Sequence, residues 1–342
     1  MRRSNTVPFA LSDYVLRKAF TEAGTRQGWL NAPRIAAAVS GGGDSVALLW
    51  LCSKFYGGQI MAIHVNHGIR GSESDGDERF TAKFARSLGC VFARVRVDVP
   101  AEKRRGESLE SAARRLRQMH ICAIAKYLNV DAVLLGHNRD DLAETVLFNL
   151  LRGTGIRGAV GMTECSELEG VKFCRPLLGM RREFLRDILR VRGIKWREDS
   201  TNNDDTYTRN YIRLKLLPLI EQTINASAVE HLAQFGTDMM KIRTHEDEQS
   251  AQLFTSCLVS VSPITFDARR LRELDDDGIA LVIREAGRRL GLRTLSRGRC
   301  DELTGLIRKG GAFVFQWCGS TVAESRKGRL TIHEDTGTNY TV

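Results

Sequence analysis

Ser40-Gly41-Gly42-Gly43-Asp44-Ser45 is the stretch on which the fold turns. Residues 34–39 before it form a short apolar run, and residues 44–56 after it carry apolar side chains at helical spacing, so the sextet reads as the loop between a strand and a helix. Three glycines let the backbone approach a ligand closely. Their N–H groups and the helix N-terminus make an anion site, to which Ser40 and Ser45 add hydroxyls. Phosphate is the expected guest. A glycine turn in which Asp44 or Ser45 merely caps the helix has the same letters. No lysine follows the last glycine and the spacing is not G-x-G-x-x-G, so two common phosphate loops are excluded.

Outward from this loop, residues 60–65, 91–97, 132–136 and 172–176 are further short β-prone runs. Ala112, Leu116, Met119, Ala123 and Tyr127 mark one face of a helix between them, and 181–192 is a basic amphipathic stretch. Strands alternating with helices predict an α/β fold, a Rossmann-like parallel sheet with helices on both faces. The polar segment 198–205 closes this region. The expected organisation is an N-terminal helical extension (1–30), a catalytic domain (31–217) and a smaller, mainly helical C-terminal domain (218–342). In the last, 226–258 and 278–290 read as helices, and 312–332 as a hairpin broken at Gly319 and Gly328.

The 342 residues carry 51 Lys+Arg and 41 Asp+Glu, a net +10. Residues 1–215 hold 35 basic and 24 acidic side chains, whereas 216–342 hold 16 and 17, so the whole excess lies in the first two thirds. Such an excess attracts phosphate polyanions. No apolar run approaches the roughly 18 residues of a membrane span, and no apolar core follows the basic start, so a cytoplasmic protein without membrane association is expected. The eight cysteines form no C-x-x-C pair, which argues against a zinc ribbon or redox motif and predicts buried thiols.

Four motifs carry a resemblance: Ser40 to Ser45; His64-Val65-Asn66-His67-Gly68-Ile69-Arg70 after the second strand; Gly136 to Thr145 after the fourth; and Leu151-Arg152-Gly153-Thr154-Gly155. Glu198-Asp199-Ser200-Thr201-Asn202 and Thr208-Arg209-Asn210-Tyr211-Ile212-Arg213 extend it. In order and spacing, residues 10–220 resemble the tRNA(Ile)-lysidine synthetases, members of the N-type ATP pyrophosphatases. Departures are small, such as Gly43 and Ile69. The C-terminal third resembles the family only faintly.

The resemblance implies ATP-dependent joining of L-lysine to C2 of the wobble cytidine of the CAU-anticodon isoleucine tRNA, through an adenylated cytidine, with AMP and pyrophosphate released. Another adenylating enzyme of the same superfamily is the alternative. ATP would be held by Ser40, Gly41, Gly42, Gly43, Asp44, Ser45, His67, Arg70 and His137, with Mg²⁺ on Asp44. Asp141 and Glu144, three apart on one helix face, would take lysine or metal, and Arg209 with Arg213 phosphate or the flipped-out base. Asp140 reads as a helix cap. Arg114, Arg115, Arg117, Arg181, Arg182, Arg186 and Arg190 read individually as solvated faces and together as an RNA-backbone surface. Monomer and homodimer both remain open.

Overall fold

The structure is a computed structural model and describes residues 11–68, 71–198 and 208–334. The chain forms two compact units, Met1–Met240 and Lys241–Val342. Residues 218–240 therefore group with the first unit, and the division falls inside a helix rather than at 217/218.

In the first unit, helix α1 (Asp13–Arg26) is followed by β1 (Arg34–Ala38), α2 (Gly43–Phe55), β2 (Gln59–Asn66), α3 (Ser72–Ser87), β3 (Val91–Arg96), α4 (Val99–Glu102) and α5 (Leu109–Tyr127). Next come β4 (Ala132–Leu134), α6 (Arg139–Leu151), α7 (Ile156–Ala159), β5 (Cys165–Leu168), β6 (Val171–Cys174) and α8 (Arg182–Val191). After α9 (Thr208–Tyr211), a π-helical turn at Ile212–Leu216 and α10 (Leu217–Thr223), the long α11 (Ala228–Cys257) carries the chain across the division. The α/β class is as expected. The sheet order is β3-β2-β1-β4-β6-β5, parallel throughout except for β5, which runs antiparallel on β6. Strand order reverses between β1 and β4, and in open α/β sheets ligands bind beyond the carboxyl ends at such a switch point.

Two packing facts fix that point. Ile35, Ala36 and Ala37 of β1 are fully buried, and α2 is buried on all faces from Ser45 to Cys52, as the run Val46-Ala47-Leu48-Leu49-Trp50-Leu51-Cys52 demands. Leu16 and Phe20 of α1 bury into the same cluster, Phe20 meeting Trp29 edge-on at 5.1 Å, so residues 11–30 supply core to the α/β layer.

The second unit adds β7 (Leu258–Val261), β8 (Ile264–Asp267), α12 (Ala268–Glu273), α13 (Asp276–Arg289), α14 (Arg297–Lys309), β9 (Phe313–Cys318), β10 (Thr321–Arg326) and β11 (Arg329–Glu334). It is mainly helical, as expected, but also carries an antiparallel sheet of order β7-β8-β11-β10-β9. The hairpin expected over 312–332 is two hairpins turning at Gly319 and Gly328, both at positive φ. Some of its basic side chains are paired locally: Arg288 and Arg289 share Glu285, and Arg308 binds Asp276. Across both units the eight cysteines are free thiols, six of them buried, and no helix among the described residues is long and apolar enough to cross a membrane.

Candidate active site

The glycine loop leaves β1 and enters α2 through Gly41, whose φ of +99° suits glycine. Ser45 Oγ donates to the Gly42 carbonyl at 2.9 Å and accepts from Ser40 N–H at 3.2 Å, and Ser40 Oγ accepts from Gly42 N–H at 3.3 Å. Both hydroxyls thus shape the loop from within. Gly42, the N-cap of α2, has no side chain to cap it, so the first-turn amides retain the anion-binding character of a helix N-terminus.

The loop after β4 is drawn against this one by Gly136. A Cβ there would lie 3.1 Å from Ser45 N and 3.2 Å from the Asp44 carbonyl carbon, both backbone, so a side chain would force that backbone to give by a few tenths of an ångström. Asn138 and Asp141 then start α6 with a capping box: Asn138 Oδ1 accepts from Asp141 N–H and Asp141 Oδ2 from Asn138 N–H, both at 3.0 Å. Asp140 caps the neighbouring helix instead, its Oδ2 accepting from Arg182 N–H at 2.7 Å. The capping expected of Asp140 is present, on α8 rather than α6.

Arg182, read from sequence as one of a solvated run, stands among three acids. Its Nη2 donates to Asp141 Oδ1 at 2.7 Å and Glu144 Oε1 at 2.9 Å, and its Nε lies 3.8 Å from Asp44 Oδ2. Its side chain is 12% exposed and Glu144's 4%, so water screens the group poorly. The signal available in the sequence was position: Arg182 follows the loop after β6, at the carboxyl edge of the sheet.

Burial sets the electrostatics. It raises the Asp44 carboxyl to about 6, opposed by Arg182 and reinforced by Asp141, and it raises Glu144 against the pull of Arg182. Burial opposes the charge on Arg182, but Asp141, Glu144 and Asp44 outweigh it and hold the guanidinium above its ordinary value. Arg213, its Nε 3.9 Å from Glu144 Oε1, is lowered by burial and by Arg182. Three carboxylates face two guanidinium groups, which leaves this cluster one positive charge short.

The other expected residues are spread around this cluster. Arg209 Nη2 donates to Thr145 Oγ1 on α6, one residue from Glu144. His67 and His137 follow β2 and β4. Each has a buried Nδ1 without a partner among the described residues, and burial lowers each imidazole to about 4. Both feel the charge of Arg117 on α5, which gives them a common neighbourhood. Arg70 and residues 199–202 lie outside the described residues. The Asp44 carboxylate accepts no hydrogen bond among the described residues, which suits a hydrated Mg²⁺ that takes one protein carboxylate and its remaining ligands from phosphate and water.

An anion loop after β1 facing an acidic helix start after β4 is the layout of a nucleotide-using α/β domain. The family model for the PP-loop domain matches residues 14–220, and the chain belongs to that family. Curated relatives include tRNA(Ile)-lysidine synthases from Thermus thermophilus, 43% identical over 203 residues (59% of this chain, 38% of that protein), and Parabacteroides distasonis, 42% identical over 211 residues (61% and 47%). The chain thus spans less than half the length of these relatives. A U34-tRNA thiolase from Methanococcus maripaludis, solved with its 4Fe-4S cluster, shares the fold at a TM-score of 0.57 and 18% identity, covering 66% of this chain and 78% of its own.

Proposed function

We propose that this protein joins L-lysine to C2 of cytidine 34 in the CAU-anticodon isoleucine tRNA at the expense of ATP. The observation that carries the reading is the close approach of the glycine loop, which carries Asp44, to the loop that opens α6 with Asp141 and Glu144, in a chain similar to tRNA(Ile)-lysidine synthases. An anion site beside a cluster that lacks one positive charge suits a triphosphate and an amine together.

In this reading the amides of Gly41 to Ser45 hold the phosphates of ATP. His67, His137 and Arg70 complete its binding site. The C2 oxygen of cytidine attacks the α-phosphorus and pyrophosphate departs, with Arg209 and Arg213 offsetting charge on phosphate. The lysine ε-amine then attacks C2 and AMP leaves. Asp141 and Glu144 hold the ammonium and receive its proton, a task for which the raised Glu144 is suited. Mg²⁺ would be held by Asp44 and would supply neutralisation of phosphate charge. The basic excess of residues 1–215 provides the tRNA surface, with residues 218–342 contributing orientation.

The test is incorporation of radiolabelled lysine into tRNA with and without ATP. ATP-dependent label in the isoleucine tRNA and not in a methionine tRNA is expected; pyrophosphate release without lysine incorporation would instead indicate another adenylating enzyme.

A further inference from the structure

Both carboxylate oxygens of Asp141 are engaged within the protein. Its Oδ2 is taken by Asn138 N–H and its Oδ1 by Arg182 Nη2, which also holds Glu144 Oε1. The guanidinium nitrogen bridges the very pair of oxygens that an ammonium would bridge. Two features mark this contact as exchangeable. Arg182 Nε is buried without a hydrogen-bond partner among the described residues and points toward the Asp44 side of the crevice, 3.8 Å from Oδ2. The backbone N–H of Arg182 is held by Asp140, so a turn of the side chain toward the glycine loop would not require α8 to move.

We infer that Arg182 is a positioning residue that makes the amine site conditional on nucleotide: it closes Asp141 and Glu144 while the loop is empty and turns to phosphate when ATP is bound. Anionic phosphate at the loop offers the guanidinium a bidentate partner. Its departure leaves the cluster two positive charges short, one of which the lysine ammonium replaces. The inference rests on the reading of Asp141 and Glu144 as the amine site. Because coupling between two ligands is reciprocal, lysine must tighten nucleotide by the same factor as nucleotide tightens lysine.

The experiment is calorimetric titration of the full chain with L-lysine, with and without saturating α,β-methylene-ATP, and the reverse titration. In the wild type, about tenfold or greater tightening is expected in both directions, a typical size for such coupling. R182Q, which keeps the planar shape but loses the charge, should bind lysine equally well with and without nucleotide. R182K, which keeps a charge but cannot reach both acids and the loop as a fork, should show reduced coupling and guards against a folding failure of R182Q, as does a circular dichroism melt of each. Wild-type coupling that survives in both variants overturns the proposal, as does lysine binding to the wild type with no coupling at all. If lysine does not bind the wild type even with the analogue and tRNA present, the amine-site reading falls and the proposal with it.

Discussion

The backbone N–H of Arg182 donates to Asp140 Oδ2 at 2.7 Å, so the acid that opens one helix caps the next. Asp140 also lies 3.3 Å from Arg181 Nε. D140A should therefore destabilise the first unit by about 1 kcal/mol, as loss of a cap does, and lower its melting midpoint by roughly 2–4 °C. An unchanged midpoint by calorimetry would mean that the cap is idle.

Asp44 should trade stability for function. Its folded carboxyl titrates near 6, above the ordinary 3.8, because burial disfavours the charge. An acid raised in this way destabilises the fold above its folded value, and that cost disappears as pH falls from about 6 toward 4. D44N should thus raise the unfolding free energy at pH 7.5 by at most roughly 3 kcal/mol, seen as a higher melting midpoint, with the gain gone near pH 4. The same variant should lose pyrophosphate release. A variant less stable at pH 7.5 and no different at pH 4 would reverse the sign and refute the argument.

Gly136 tests the close approach of the two loops. In G136A the new methyl meets backbone rather than a flexible side chain, so α2 or the loop after β4 must give by a few tenths of an ångström, at about 1–3 kcal/mol. Affinity for α,β-methylene-ATP should fall more than tenfold, whereas G57A, with open space around its Cβ, should leave it unaltered.

Glu144 separates the two chemical steps. E144Q keeps the shape and one acceptor for Arg182 but removes the proton acceptor. Single-turnover lysine transfer should fall by roughly a hundredfold or more, while pyrophosphate release stays within a few fold. Equal loss in both steps would assign Glu144 to the support of Arg182 alone.

The proposed tRNA surface can be tested by salt. Arg114 and Arg117 lie exposed on α5, whereas Arg288 and Arg289 are held by Glu285. Replacing Arg114 and Arg117 by glutamine should reduce the log–log salt slope of tRNA binding by about 0.7–0.9 for each phosphate no longer neutralised, and the same change at Arg288 and Arg289 should leave it nearly constant. The opposite ranking would place the RNA on the second unit.

Much of the first unit is legible in its letters. The loop at Ser40 to Ser45, the strands beside it and the pairing of Asp141 with Glu144 all follow from local rules, namely glycine conformational freedom, short apolar runs and helical spacing. Arg182 does not. Its identity depends on α8 packing beside α6, some 40 residues distant in sequence, and nothing in Met180-Arg181-Arg182-Glu183 separates it from a solvated arginine. The serine hydroxyls bond within their own loop, a shaping role that the letters alone do not separate from contact with a ligand. Strand β5 escapes notice because three of its four residues are exposed and leave no apolar run to read. The division inside α11 escapes because a helix continuous in sequence pattern gives no linker signal.

The burial of α2 on every face bears on how the protein fails. A loop carried by a surface helix can fray while its domain stays intact, but Gly42 to Ser45 sit at the mouth of a rod with Leu48, Leu49 and Leu51 fully enclosed. Amide exchange at the start of α2 should then require the same opening as the strands beneath it, and heating should abolish nucleotide binding and the cooperative melt together. Lesions deep in that rod, far from any substrate, would surface genetically as temperature-sensitive loss of catalysis.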